Sequence, residues 1–95
     1  MKKRMPTTPG EILRKEFLEP LAMTQQQLGD HVGCDVKVIN RIVNGRTSVT
    51  AEMALKLGST FGTTAEFWLN AQRAVDLYEA GSRLQRLPKA LRKAS

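Results

Sequence analysis

The feature that most constrains the fold is a connection of only three residues, 33–35, between two short amphipathic segments. Thr24 and Gln27 have the spacing of a capping box, which predicts that a helix begins there. Gly33 can adopt the left-handed conformation that ends such a helix, and Asp35 is suited to cap the next one. Two helices joined so closely predict a helix-turn-helix arrangement over residues 25–44.

Three further helices are predicted from capping threonines and from the glycine or proline that follows each apolar pattern. Their starts and ends are expected at Thr8 and Pro20, at Thr50 and Gly62, and at Thr63 or Thr64 and Gly81. The last of them, from about residue 65 to 80, is the longest. Strand-like alternation of apolar and polar residues is absent. The sequence therefore predicts an all-α protein of about five helices.

The length of 95 residues fits one domain, and its charge divides it into three parts. The net charge is +6, but the segment from Met5 to Ser82 carries seven basic and nine acidic residues. The excess comes from three basic residues before this segment and five after it. We expect a flexible basic arm over residues 1–7, a folded domain over 8–80, and a basic tail over 81–95.

Several classes of protein are excluded by what the chain lacks. Its apolar runs reach only three residues, whereas a membrane span needs about 20 and a secretory signal about 7–15. We therefore expect a cytoplasmic protein with no membrane contact. One cysteine, Cys34, and one histidine cannot build a disulfide, a thiolate zinc site or a Cys–His catalytic pair. We expect no enzymatic activity, no metal site and no cofactor.

The segment after Asp35 has two chemically different sides at about 100° per residue. Its apolar side consists of Ile39, Ile42 and Val43. Its opposite side consists of the hydrogen-bond donors Lys37, Asn40, Arg41 and Asn44. Arginine and lysine suit guanine, and asparagine suits adenine. A solvated helix face has a similar composition, but the short turn and the small residue Gly29 at the expected helix crossing favour DNA recognition.

Several stretches resemble the lambda-repressor-like (XRE) helix-turn-helix proteins and, within that family, the HigA antitoxins. Together they extend from Thr8 to about Tyr78. The segments most specific to the HigA group are Asn-Gly-Arg-Thr at 44–47 and Glu-Phe-Trp-Leu-Asn at 66–70. The others include Thr-Pro-Gly-Glu-Ile-Leu at 8–13 and Met-Thr-Gln-Gln-Gln-Leu at 23–28.

The resemblance implies a repressor that binds double-stranded DNA. It assigns contacts with base edges to Val36, Lys37, Asn40 and Arg41. It assigns phosphate contacts to Gln25, Asn44, Arg46 and Thr47. A helix-turn-helix dimer binds two half-sites of a pseudo-palindromic operator, and we expect a homodimer because the last helix has more apolar side chains than one small core can cover. The candidates, some for the core and some for the dimer interface, are Trp68, Val75, Leu77 and Tyr78.

The resemblance also implies a protein partner, an RNA-cleaving toxin of the HigB (RelE-like) kind, which the antitoxin neutralises while it represses its own operon. A toxin that holds RNA must be basic. The acidic residues of the chain lie mostly away from the predicted recognition helix, at Glu11, Glu16, Glu19, Glu66, Asp76 and Glu79. Two alternatives remain open: a free-standing regulator without a toxin, and an RNA-binding or adaptor module that uses the basic tails.

Overall fold

A computed structural model describes residues 4–91, and within this range it contains five helices and no strand. The helix α1 begins as an α-helical turn, Pro9–Ile12, and continues as a π-helical segment, Leu13–Leu18. It is followed by α2 (Gln25–Val32), α3 (Val36–Val43), α4 (Ala51–Phe61) and α5 (Ala65–Arg83). The predicted all-α fold of about five helices is confirmed. Residues 1–3 of the basic arm and 92–95 of the basic tail lie outside the described range, and with them four of the basic residues, Lys2, Lys3, Arg92 and Lys93.

The predicted caps set the helix starts. At α2, Thr24 Oγ1 accepts a hydrogen bond from the backbone N–H of Gln27 at 3.0 Å, and Gln27 Oε1 accepts from the backbone N–H of Thr24 at 2.9 Å. Gly33 ends α2 with a φ of 74°, and Asp35 caps α3. Threonine caps open the other helices at Thr8, Thr50 and Thr64. The local signals in the sequence therefore locate every helix start.

The second half of α1 is wider than the regular α-helix that the apolar spacing predicts. The backbone N–H of Glu19 donates to the carbonyl of Arg14 at 2.9 Å, five residues back, which is the hydrogen-bond pattern of a π-helix. This wider turn brings residues five apart towards one side, so Leu13 and Leu18 are both buried in the core. Helix α1 ends before Pro20, as predicted.

The predicted end of α5 at Gly81 is wrong. The helix continues through Gly81 to Arg83, and the backbone N–H of Leu84 still donates to the carbonyl of Ala80 at 3.1 Å. Glycine permits the left-handed conformation that ends a helix but does not impose it. Helix α5 therefore passes beyond residue 80, where we expected the folded domain to end. From Leu84 to Leu91 the chain forms no regular element.

One hydrophobic core holds the five helices together. Its largest fully buried side chain is Trp68, whose Nε1–H donates to Oγ1 of Thr63 at 2.8 Å. The rings of Phe17 and Phe61 pack against the indole, with centroids 5.5 and 6.4 Å away. Of the other candidate core residues in α5, Val75 is also buried. None of the helices described here has the length and apolar character that a membrane crossing requires.

Candidate nucleic-acid interface

The turn between α2 and α3 depends on the small residue Gly29. A Cβ at this position would lie 2.9 Å from the carbonyl oxygen of Cys34 and 3.5 Å from Cα of Val36, so a larger residue would push α3 away from α2. The backbone N–H of Cys34 donates to the carbonyl of Gly29 at 2.9 Å.

Burial raises the pKa of the Cys34 thiol, although the charge of Lys56 opposes this shift. The turn therefore carries a neutral, packed thiol.

Helix α3 shows the two sides that its sequence predicts. Ile39 and Ile42 are 0% and 3% exposed and pack into the core. The four predicted donors, Lys37, Asn40, Arg41 and Asn44, are all exposed, whereas Val36 is half-buried. The helix thus holds its donor side towards solvent because its apolar side is fixed in the core.

A shallow cavity of about 360 Å³ collects most of the predicted DNA-contacting residues on one surface. Gln25 from α2 and Arg46 from the loop after α3 contribute to this cavity together with α3 itself. The α3 residues that line it are Val36, Lys37, Asn40 and Arg41. Asn44 and Thr47 line a neighbouring cavity of about 410 Å³, which they share with Arg46 and with the acidic residues Asp76 and Glu79 of α5. The structure therefore brings together residues that the sequence places up to 22 positions apart.

The positive charges on this surface are not neutralised by ion pairs within the described residues. The ion pairs found there are Arg14–Glu19 at 2.8 Å, Lys15–Glu11 at 3.6 Å and Lys56–Glu52 at 3.3 Å. None of them involves Lys37, Arg41 or Arg46. Such a surface suits a polyanion, because the polyanion can bind these cations without first breaking one of these ion pairs.

The amide side chains on the same surface are hydrogen-bonded to one another. Asn40 Nδ2 donates to Gln25 Oε1 at 3.1 Å, which joins α3 to the first turn of α2. Asn44 Nδ2 donates to the backbone carbonyl of Asn40 at 3.0 Å and to its Oδ1 at 3.2 Å. These three residues form a continuous amide network, which we call the amide relay.

The sequence reasoning missed one residue, Gly10, that positions α3. Gly10 is buried in α1, and a Cβ at this position would collide with the carbonyl oxygens of Ile42 and Val43. The first turn of α1 therefore packs directly against the end of α3. Glycine is unfavourable inside a helix, so its presence in the first turn of α1 could have indicated that another segment approaches closely there.

A second missed residue, Gln72, supports the loop after α3. Its Oε1 accepts a hydrogen bond from the backbone N–H of Val49 at 2.9 Å, and its Nε2 donates to Asp76 Oδ1 at 2.9 Å. Gln72 lies on α5, 23 residues beyond Val49. No short-range pattern in the sequence indicates a contact over that distance.

The fold and the donor side of α3 define the helix-turn-helix class of DNA-binding proteins. The profile of the helix-turn-helix family matches residues 15–68. Antitoxin HigA-1 of Vibrio cholerae is 42% identical over 83 residues, which are 87% of this chain and 78% of that protein. The chain belongs to the lambda-repressor-like (XRE) helix-turn-helix family, in the group that includes the HigA antitoxins.

Two other relatives show the range of this group. The uncharacterized HTH-type transcriptional regulator YbaQ of Escherichia coli is 40% identical over 86% of this chain and 73% of its own length. The structure of the Pseudomonas aeruginosa antitoxin HigA with the higBA promoter superposes with a TM-score of 0.83 at 33% identity, covering 90% of this chain and 98% of that one. The family contains regulators and antitoxins, not enzymes.

Proposed function

We propose that this protein is a sequence-specific repressor that inserts α3 into the major groove of its operator. The observation that carries the proposal is the surface around α3. Its cations form no ion pair within residues 4–91, and they lie with the amide relay on one side of a helix whose other side is buried. A helix of this kind fits the major groove, where base edges present donors and acceptors. The related antitoxin HigA, whose structure includes promoter DNA, supports this role.

The residues on this surface divide into two groups by what they would contact. Base edges are contacted by Val36, Lys37, Asn40 and Arg41. Phosphates are contacted from the start of α2 and from the loop after α3, by Gln25, Asn44, Arg46 and Thr47. This division matches the positions of the two groups, since α3 enters the groove while its flanking segments lie over the backbone. Phosphate contacts orient the protein, and base contacts select the sequence.

The proposed operator-binding unit is a homodimer that uses α5. Leu77 is 67% exposed, and Tyr78 is half-buried beside it. They line an open cavity of about 750 Å³ between α5, which adds Ala74, Gly81 and Ser82, and the N-terminal segment, which adds Arg4 and Pro6. An apolar surface on the last helix can be covered by the same surface of a second copy through a two-fold axis. Such a dimer would present its two α3 helices to half-sites about 34–36 Å apart.

Footprinting on the promoter of the protein's own gene tests the proposal. At about 0.15 M salt, we expect two protected half-sites in a pseudo-palindromic arrangement. Binding to random DNA of the same length should be weaker by about 10³-fold or more, the lower end for specific binding proteins. Equal protection of promoter and random DNA would refute sequence-specific repression.

We further propose that the repressor neutralises a HigB-like, RNA-cleaving toxin encoded beside it. The similarity to antitoxin HigA-1 supports this proposal. The charge distribution gives partial support, because α1 and α5 carry acidic side chains, whereas the one acidic residue at α3 is its cap Asp35. On α1, Glu11 and Glu19 are already paired with Lys15 and Arg14. The exposed acidic residues Glu16 on α1 and Glu66 on α5 remain for a basic partner, whereas Asp76 and Glu79 line the cavity that contains Asn44 and Arg46.

A free-standing regulator is the second candidate function, and the similarity to the regulator YbaQ supports it. Co-expression with the neighbouring reading frame separates the two. The antitoxin function predicts that the neighbour alone stops growth and that this chain restores it. A harmless neighbour, or toxicity that persists beside this chain, would leave only the free-standing regulator.

A further inference from the structure

The orientation of the Asn44 amide is determined by a backbone group. Its Nδ2 lies 3.0 Å from the backbone carbonyl oxygen of Asn40. A carbonyl oxygen only accepts hydrogen bonds, so the nitrogen and not the oxygen of the amide must face it. The reverse orientation would place two acceptor oxygens against each other.

The orientation of the Asn44 amide determines that of Asn40, the next residue in the amide relay. Because Asn44 Nδ2 also lies 3.2 Å from the side chain of Asn40, the atom of Asn40 that faces it must be the acceptor Oδ1. The Nδ2 of Asn40 consequently faces the other way, where Gln25 Oε1 accepts from it at 3.1 Å. The Nε2 of Gln25 then has no role in the relay and is available to donate to a phosphate.

The relay leaves a defined set of hydrogen-bonding groups on Asn40. Its Nδ2 keeps one hydrogen, and its Oδ1 keeps one lone pair. One donor and one acceptor, side by side, match N7 and N6 of adenine in the major groove. The two amide hydrogens of Asn44, in contrast, both have acceptors on Asn40.

We propose that Asn44 is a positioning residue that acts through Asn40, and that the amide relay selects an adenine at one position of each half-site. This inference rests on the proposed DNA-binding function and deepens it. It gives Asn44 a role in sequence selection in place of a phosphate contact. The relay also determines which strand carries the adenine. If the amide of Asn40 were reversed, its donor and acceptor would match T·A instead of A·T.

The test measures base discrimination in the full-length protein. Affinities are determined for the operator and for operators in which each base pair is replaced in turn, with wild type, Asn40→Ala, Asn44→Ala and the double variant. Asn44→Asp is included because it keeps the size of the side chain but loses both amide hydrogens. Gln26→Ala is the matched control, since its amide donates to Asp30 within α2. For each variant, the preference is the ratio of its affinities for two operators. A partly unfolded fraction lowers both affinities by the same factor and therefore does not change this ratio.

We expect wild type and Gln26→Ala to prefer A·T over T·A at one position by about 5- to 150-fold, the range expected for a bidentate contact. Asn40→Ala, Asn44→Ala and Asn44→Asp should each lose most of that preference at the same position. In the Asn40→Ala background, Asn44→Ala should remove no further discrimination, which is the non-additivity of residues that act together.

Two results would overturn the inference, and they differ from each other. If Asn44→Ala weakens all operators by one factor, also in the Asn40→Ala background, Asn44 contacts a phosphate directly and does not position Asn40. If wild type itself shows no preference among the operators, the proposed repressor function fails together with the relay.

Discussion

Val49 and Gln72 are joined by a hydrogen bond of 2.9 Å between the backbone nitrogen of Val49 and Oε1 of Gln72. Val49 is buried at the end of the loop that follows α3, and Gln72 lies on α5. The loop therefore takes its position from the last helix as well as from α3. Arg46 and Thr47, which we assign to phosphate contacts, lie in this loop.

Replacing Gln72 by alanine should lower the free energy of unfolding by about 1–3 kcal/mol, because the buried N–H of Val49 loses its acceptor. Asp76→Ala removes only the acceptor of Gln72 Nε2, leaves the bond to Val49 intact and should lose less. Urea unfolding measures both, and DNA binding by Gln72→Ala should weaken on all sequences alike. Equal stability of wild type and Gln72→Ala would show that the loop does not depend on this contact.

Gly10→Ala should destabilise the protein, because the added methyl group collides with the backbone of α3. Overpacking of this kind costs about 1–3 kcal/mol. Gly81→Ala is the matched control, since a Cβ there meets no atom within 4 Å and the residue lies inside α5. It should stabilise the protein by about 0.5–1 kcal/mol. Thermal unfolding of the two variants compares them directly, and a shift of the same sign in both would contradict this account of Gly10.

Lys37→Ala and Arg41→Ala should each cost about 1–3 kcal/mol of binding and relax the preference at particular base pairs. Arg46→Ala should weaken binding to all sequences by a similar factor, because a phosphate contact carries no sequence information. For Arg46→Ala, the slope of log affinity against log salt concentration should also be smaller in magnitude by about one. Titrations against a set of mutated operators decide this. A uniform loss for Arg41→Ala would remove Arg41 from the base-contacting group.

Leu77→Glu should convert the proposed dimer to a monomer without unfolding the chain, since the leucine is 67% exposed and a charge there is buried only by a partner. Leu55→Glu is the control, because Leu55 on α4 is similarly exposed at 65% but lies outside the cavity formed by α5. Sedimentation at concentrations of order ten micromolar distinguishes the species. Wild type that sediments as a monomer, or a dimer in both variants, would exclude this interface.

Cys34 should react slowly with alkylating reagents at neutral pH, because burial raises the pKa of its thiol and the thiolate is the reactive form. The unfolded chain then releases this proton at lower pH than the folded protein does. The free energy of unfolding should therefore decrease as the pH rises from the unfolded towards the folded pKa of this group. Cys34→Ser should lack this dependence. Labelling of the native protein as fast as that of the urea-unfolded chain would contradict the burial effect.

Much of the surface around α3 could be predicted from short-range patterns. A capping side chain and the backbone N–H that it binds are at most three residues apart here, as at Thr24 and Asp35. The two sides of α3 follow from helical periodicity alone, because burial of Ile39 and Ile42 forces Lys37 and its neighbours outward. These interactions are local, so they can be predicted from the sequence alone.

The remaining features depend on which segments meet after folding. The π-helical turn of α1 forms where Leu13 and Leu18 must both reach the core, and α5 continues through Gly81 although a glycine there could have ended it. Gly10 and Gln72 matter because they approach residues more than twenty positions away. The sequence by itself determined the helices, their caps and the polar side of α3. Only the tertiary structure decided how α1 and α5 hold α3 and its loop, because contacts between distant segments leave no periodic trace along the chain.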